Sequence, residues 1–188
     1  MYKKVLNEIL LSQKPSAGIL RLIETGEMNE IIPELLRLKG FDQKTPYHDK
    51  DVLDHTLAVV DEIKPKLNLR MAALLHDISK PDCFTLDEKG KGHFHGHHVR
   101  SAAKSQEILQ RLGYEEDFIT DVKTLIRYHY IKEIANVIKE KGIKRFVDNV
   151  GVERLEDMFE LIRADMAGKA YTDYQVIEKL RAMCRDEI

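Results

Sequence analysis

The chain has 188 residues, 43% of them hydrophobic and 33% charged, a length that suits one domain with enough apolar content to bury a core. Its formal net charge of −2 supplies no overall field toward nucleic acid or membrane, although a local basic patch is still compatible with it. No run approaches the roughly 18 consecutive apolar residues of a membrane span, and the apolar start is broken by Asn7 and Glu8, which argues against a leader peptide.

Two cysteines, Cys83 and Cys184, have neither metal-ligand nor redox spacing, so the expectation is a cytoplasmic protein without disulfides. No repeat, low-complexity stretch or linker divides the chain. It is therefore expected to form a single domain, with a helical lead-in over 1–45, a core over 46–170 and a C-terminal helix over 171–188.

Apolar residues recur three and four apart over 5–11, 19–23, 31–38, 52–63, 118–131 and 155–166, which predicts helices there. Pro33 falls early in its helix, where it is tolerated, and Gly40 is a plausible stop. Residues 69–75 are apolar around the full circumference, the pattern of a central, buried helix. Only one stretch departs from this period. Residues 83–86 and 93–95 flank a glycine-containing turn over 87–92 and read as a short β-hairpin. The fold class is all-α with one hairpin insertion.

Several polar residues fall where a helix should be apolar. At 100° per residue, His129 extends the stripe of Phe118, Val122 and Leu125, and Asp165 extends that of Leu155, Met158 and Ile162. His55 sits at the edge of the stripe made by Val52, Thr56, Val59 and Ile63, whereas Asp54 points away, toward solvent. The buried segment 69–75 runs directly into His76 and Asp77. A lone histidine on an apolar face is usually a satisfied core residue. A buried, unpaired carboxylate costs several kcal/mol, so Asp165 needs a basic partner or a metal. Four helices that each turn a His or Asp inward favour a shared metal site, and this donor set suits transition metals better than magnesium alone. Among the hairpin histidines, His93 and His95 share a strand face, and adjacent His97 and His98 cannot both face one point on a helix. A solvated turn explains His93, His95 and His98 equally well.

His55, the doublet His76-Asp77 and the distant Asp165 resemble the H…HD…D signature of the HD superfamily of metal-dependent phosphohydrolases. Asp54-His55-Thr56-Leu57 and Leu74-Leu75-His76-Asp77-Ile78-Ser79-Lys80 carry the local text. Gly96-His97 and Tyr128-His129 resemble the intervening histidines of the longer form. The resemblance implies an HD-domain helical bundle with one or two divalent ions, Mn, Fe, Ni, Co or Zn rather than Mg alone. His55, His76, Asp77 and Asp165 would hold the first metal, Asp77 would bridge, and His97 and His129 would complete a second site. Hydrolysis of a phosphate ester, such as a nucleotide, would then proceed through a metal-activated water. Asp77 and Lys80 are the catalytic candidates, and Lys80, Arg100 and Arg163 are the candidates for binding substrate phosphate. A solvated helix-end lysine is the plain alternative for Lys80.

The stretch Ile31-Ile32-Pro33-Glu34-Leu35, then Gly40-Phe41-Asp42-Gln43 and Tyr47-His48, narrows the resemblance to the HD domain of bacterial CCA-adding tRNA nucleotidyltransferases, as does Arg163-Ala164-Asp165-Met166-Ala167. The Gly-Ser turn and paired aspartates of a nucleotidyltransferase head are missing, so no nucleotide addition is expected. Ser79 stands where many relatives have Gly, and His98 where the tRNA enzymes often have Asp. An alternative is an RNA-binding module using Lys132, Lys139, Lys141, Lys144 and Arg145, diluted by Glu133 and Glu140. A metal site that only stabilises the fold is a third reading.

Overall fold

The computed structural model describes residues 2–45, 51–135, 137–167 and 174–187, with the backbone alone at 132–134. Tyr47, His48 and the side chains of Lys132 and Glu133 therefore lie outside the described residues.

The lead-in begins with α1 (Tyr2–Leu10) and α2 (Pro15–Glu24), whose first residue is a proline, at a position where the missing N–H is not needed. The single helix predicted over 31–38 is instead two elements. α3 (Met28–Ile31) stops, and a 3-10 turn (Pro33–Leu38) starts afresh. Pro33 cannot donate back to the preceding turn and its ring pushes Ile32 out of helical geometry, to φ −139° and ψ 75°.

α4 (Val52–Glu62) is capped by Asp51, whose Oδ1 accepts from the Asp54 N–H at 2.7 Å. α5 (Leu67–Leu75) is the central helix and packs against α1, α4 and, as they follow in the chain, α6 (His97–Arg111), α7 (Glu116–Tyr128) and α9 (Leu155–Ala167). Its burial is complete from Leu69 to Leu75, but one member of that stretch is charged. Arg70 Nη1 donates to the carbonyl oxygens of Leu10 and Ser12, both at 2.5 Å, so a buried guanidinium satisfies the open C-terminus of α1.

After α5 come a 3-10 turn (Lys80–Cys83) and the hairpin, β1 (Thr85–Leu86) antiparallel to β2 (Gly92–His93), with Thr85 opposite His93. The strands are shorter than the 83–86 and 93–95 expected, because Cys83 closes the 3-10 turn and the chain bends after His93 toward Gly96. Gly92 is required for close approach. Its N–H donates to the Lys44 carbonyl at 2.8 Å, and a Cβ there would run into the Gln43 carbonyl oxygen.

Beyond α7 the chain tightens into a 3-10 turn (His129–Ile134), then forms α8 (Glu140–Val150), α9 (Leu155–Ala167) and α10 (Gln175–Arg185). Cys83 and Cys184 are both free thiols. Among the described residues no helix is long and apolar enough to cross a membrane.

Candidate metal centre

The elements packed on α5 deliver its neighbours to one place. α4 carries His55, the turn after α5 carries His76 and Asp77, α6 begins with His97, the 3-10 turn after α7 begins with His129, and α9 carries Asp165. His55, His76, Asp77, His129 and Asp165 are all buried, so each inward position read from the stripes is inward in the fold. The His97 side chain is 18% exposed, which places the approach from solvent on the α6 side. The doublet sits in a tight turn in which Ile78 N–H donates to Leu75 O and Lys80 N–H to Asp77 O, and Ser101 Oγ on α6 accepts from the Ser79 N–H at 3.2 Å. Ser79 has φ −103°, so this turn does not need the glycine of many relatives.

Two triads result, each with ligand atoms within 4.8 Å of one another: His55, His76 and Asp165 in one, Asp77, His97 and His129 in the other. Asp165 Oδ1 lies 2.9 Å from His55 Nε2 and 3.7 Å from His76 Nε2. Asp77 reaches both groups. Its Oδ2 is 3.2 Å from His76 Nε2 and 3.9 Å from His55 Nε2, and its Oδ1 is 3.5 Å from His97 Nε2. The rings of His76 and His97 lie 5.3 and 5.4 Å from that of His129.

The tautomers follow from the backbone. His76 Nδ1 contacts Ala73 O at 2.8 Å, His97 Nδ1 contacts Phe94 O at 2.9 Å, and His129 Nδ1 contacts Ile126 O at 2.7 Å. A carbonyl only accepts, so Nδ1 carries the proton in each, and a neutral ring points its Nε2 lone pair into the cluster. This is how metal-binding histidines are oriented elsewhere. His76 Nε2 is buried and makes no hydrogen bond among the described residues, although Asp77 Oδ2 is near enough in distance. Two lone pairs facing each other at that separation repel unless a cation lies between them. The donor set and this orphaned nitrogen both fit a divalent metal.

Charge supports the same assignment. Burial pushes the Asp77 carboxyl up, but positive charge beside it, on His76 when that ring is protonated and on Lys80, outweighs burial and holds it well below the usual carboxylate range. Burial pushes the His97 imidazole down, against the pull of Asp77, which favours the neutral ring that a metal requires.

Lys80 is not a solvated helix-end lysine. It is buried, its Nζ lies 2.8 Å from Asp77 Oδ2 and 2.7 Å from Gln43 Oε1, and it sits over the Phe94 ring. Gln43 was not among the site residues expected from sequence. It lies in a stretch without regular secondary structure, where no periodicity marks a side chain as inward. The structure does not bring the other two phosphate-binding candidates to the cluster. Arg163 is engaged by Glu62 at 2.7 Å and by Glu160 at 3.1 Å, an ion-pair group at the α4–α9 surface. Arg100 donates to the Asp82 carbonyl and lines an open cleft of about 420 Å³ with Ser79, Asp82, Lys104 and Glu107. His93 and His95 stack on each other, and His93 pairs with Asp87 at 3.0 Å. His98 stacks on Tyr130 at 4.1 Å, and burial, with His97 and Arg127 nearby, pushes its pKa down to about 4.

Residues 52–168 match the HD domain family. An A-adding tRNA nucleotidyltransferase of Deinococcus radiodurans is 31% identical over 166 residues, covering 85% of this chain and 37% of the relative. A CC-adding tRNA nucleotidyltransferase of Thermus thermophilus is 31% identical over 169 residues, covering 87% of this chain and 38% of the relative. A multifunctional CCA protein of Azoarcus is 27% identical over 157 residues, covering 81% and 37%. The chain thus spans well under half the length of these relatives.

Proposed function

The chain belongs to the HD-domain family, and from that premise we propose that it is a metal-dependent phosphohydrolase acting on a small phosphate ester, such as a nucleotide. The observation that carries this reading is the position of Asp77, a member of one triad whose second oxygen is turned to the histidines of the other. His55, His76, Asp77 and Asp165 would hold one ion, and Asp77, His97 and His129 a second. Divalent ions bound there would supply a water of lowered pKa and neutralise phosphoryl charge. The chain's own residues do the rest. Backbone carbonyls lock three imidazoles with Nε2 inward, and Lys80 sets a fixed positive charge beside Asp77. No side-chain nucleophile is needed.

The test is metal analysis followed by hydrolysis assays with phosphomonoester, phosphodiester and 2′,3′-cyclic nucleotide substrates. Hydrolysis should vanish on chelation and return with Mn²⁺ or Ni²⁺ more strongly than with Mg²⁺. Activity indifferent to chelation, or a metal-replete protein inert toward every phosphate ester, overturns the reading.

A second reading, an RNA contact, is favoured by α8. Lys141, Lys144 and Arg145 are exposed on it, and none forms an ion pair among the described residues. The relatives are tRNA enzymes by name. If three phosphates are engaged, tRNA affinity should fall roughly 40-fold between about 50 and 200 mM salt. Replacing Lys144 and Arg145 by Ala should lower the log–log salt slope by about 2 while leaving metal content unchanged. No association at low salt would remove this reading.

A further inference from the structure

The Lys80 ammonium touches two acceptors of different charge. Its Nζ lies 2.8 Å from Asp77 Oδ2 and donates to Gln43 Oε1 at 2.7 Å, and the Phe94 ring centroid is 5.3 Å away. Asp77 Oδ2 is also the oxygen that faces His76 Nε2 and His55 Nε2. One carboxylate oxygen therefore faces both a fixed cation and the histidines proposed to hold an ion. Two cations at one oxygen repel each other at close range, so the ammonium opposes a metal there to the extent that it leans on Asp77.

Gln43 offers the same ammonium a neutral oxygen. The residue is 1% exposed, and its amide can stand only one way round, because an ammonium only donates and must meet Oε1. That orientation leaves Nε2 buried with no hydrogen bond among the described residues, an arrangement that is costly and uncommon. The contact with Lys80 is what holds the amide in it.

Two segments distant in the chain are joined to make this contact. Lys44, next to Gln43, has φ +52°, a left-handed conformation uncommon for a side chain of this kind. Asp42 Oδ1 accepts from its N–H at 2.8 Å, and the Gly92 N–H of the hairpin donates to its carbonyl at 2.8 Å. Strain fixed from several sides is a property of segments that must present a group in one place. Phe41 packs its ring against those of Phe84 and Phe94, with centroids 5.4 and 6.5 Å away. The stretch before α4 and the hairpin after α5 thus brace each other. Each delivers one contact to Lys80, the Gln43 oxygen from the first and the Phe94 ring from the second.

We propose that Gln43 is a positioning residue of the metal centre, which holds the Lys80 ammonium on a neutral oxygen and so leaves Asp77 Oδ2 to a divalent ion. The proposal rests on the metal site of the phosphohydrolase reading and is independent of the substrate.

Calorimetric titration of Mn²⁺ into the metal-stripped protein tests it. Gln43→Met removes the oxygen and should raise the Mn²⁺ Kd by about 10-fold to 100-fold, the worth of a hydrogen bond to a charged group, with helical content unchanged. Gln43→Glu keeps an acceptor for Lys80, and its Kd should stay at or below that of the parent. Lys80→Met removes the opposing charge and should lower the Kd by about 10-fold or more. Added to Lys80→Met, the Gln43→Met change should then alter the Kd by less than about 2-fold, since no ammonium remains to be held. An equal rise in Kd with and without Lys80 would show that Gln43 acts through packing alone, and overturns the proposal. So does a Gln43→Glu variant that binds as weakly as Gln43→Met. Should Gln43→Met not fold, Gln43→Asn, which withdraws the amide by one methylene, takes its place in the same cycle. A parent that binds Mn²⁺ with every Gln43 variant indifferent overturns this proposal only. A parent that binds no divalent ion overturns the phosphohydrolase reading, and this proposal with it.

Discussion

Asp77→Ala should abolish phosphate-ester hydrolysis, by at least about a thousand-fold, and strip bound metal from the whole centre. The expectation follows from the two oxygens of this one side chain, Oδ2 facing His76 and His55, and Oδ1 facing His97. Its removal takes a ligand from the triad of His97 and His129, removes the carboxylate oxygen that faces His76 and His55 of the other, and leaves the Lys80 ammonium buried without its carboxylate. His129→Ala should behave differently. His129 belongs only to the triad of Asp77 and His97, so its loss should reduce metal content partially and leave His55, His76 and Asp165 together. Metal analysis of the two variants against the parent reads the difference. Equal and complete metal loss from both would show that the two triads do not bind separably.

The second large effect is expected at Asp165. Asp165→Asn keeps the shape of the side chain and removes the charge that faces His55 at 2.9 Å and His76 at 3.7 Å. Removing one member of a buried charged contact costs about 3–5 kcal/mol, which as a loss of metal affinity is roughly a hundred-fold or more. Metal content and hydrolysis should therefore fall together, with helical content retained. The competing role, a salt bridge to a neighbouring arginine, is not met by Arg163, which is engaged by Glu62 and Glu160. A variant with its full metal complement and a lowered melting temperature would remove Asp165 from the centre.

The directions of His55, His129 and Asp165 were legible in the chain because they depend on helical period alone. The apolar neighbours of each residue define a face, and burying that face carries the polar residue inward with it. Asp54 was equally legible for the opposite reason: it is off the stripe and is exposed. The hairpin was legible from its turn residues, though not its length, which is set by the 3-10 turn before it and by the fit of Gly92 against Gln43. The expected helix over 31–38 failed at Pro33, where the missing N–H outweighed an apolar pattern that ran straight through it.

By itself, then, the sequence determined which residues turn inward and that a His-Asp doublet closes the central helix, since both are consequences of local periodicity. Only the tertiary structure decided which inward residues meet, because those meetings depend on how helices far apart in the chain cross. His55 finds Asp165 across 110 positions, and Lys80 finds Gln43 across 37. The same long-range packing took Arg163 away from the centre to Glu62, 101 positions distant, and spent Arg70 on the end of α1. A charged side chain pairs with whatever the fold brings within reach of it, and no local pattern records what that will be.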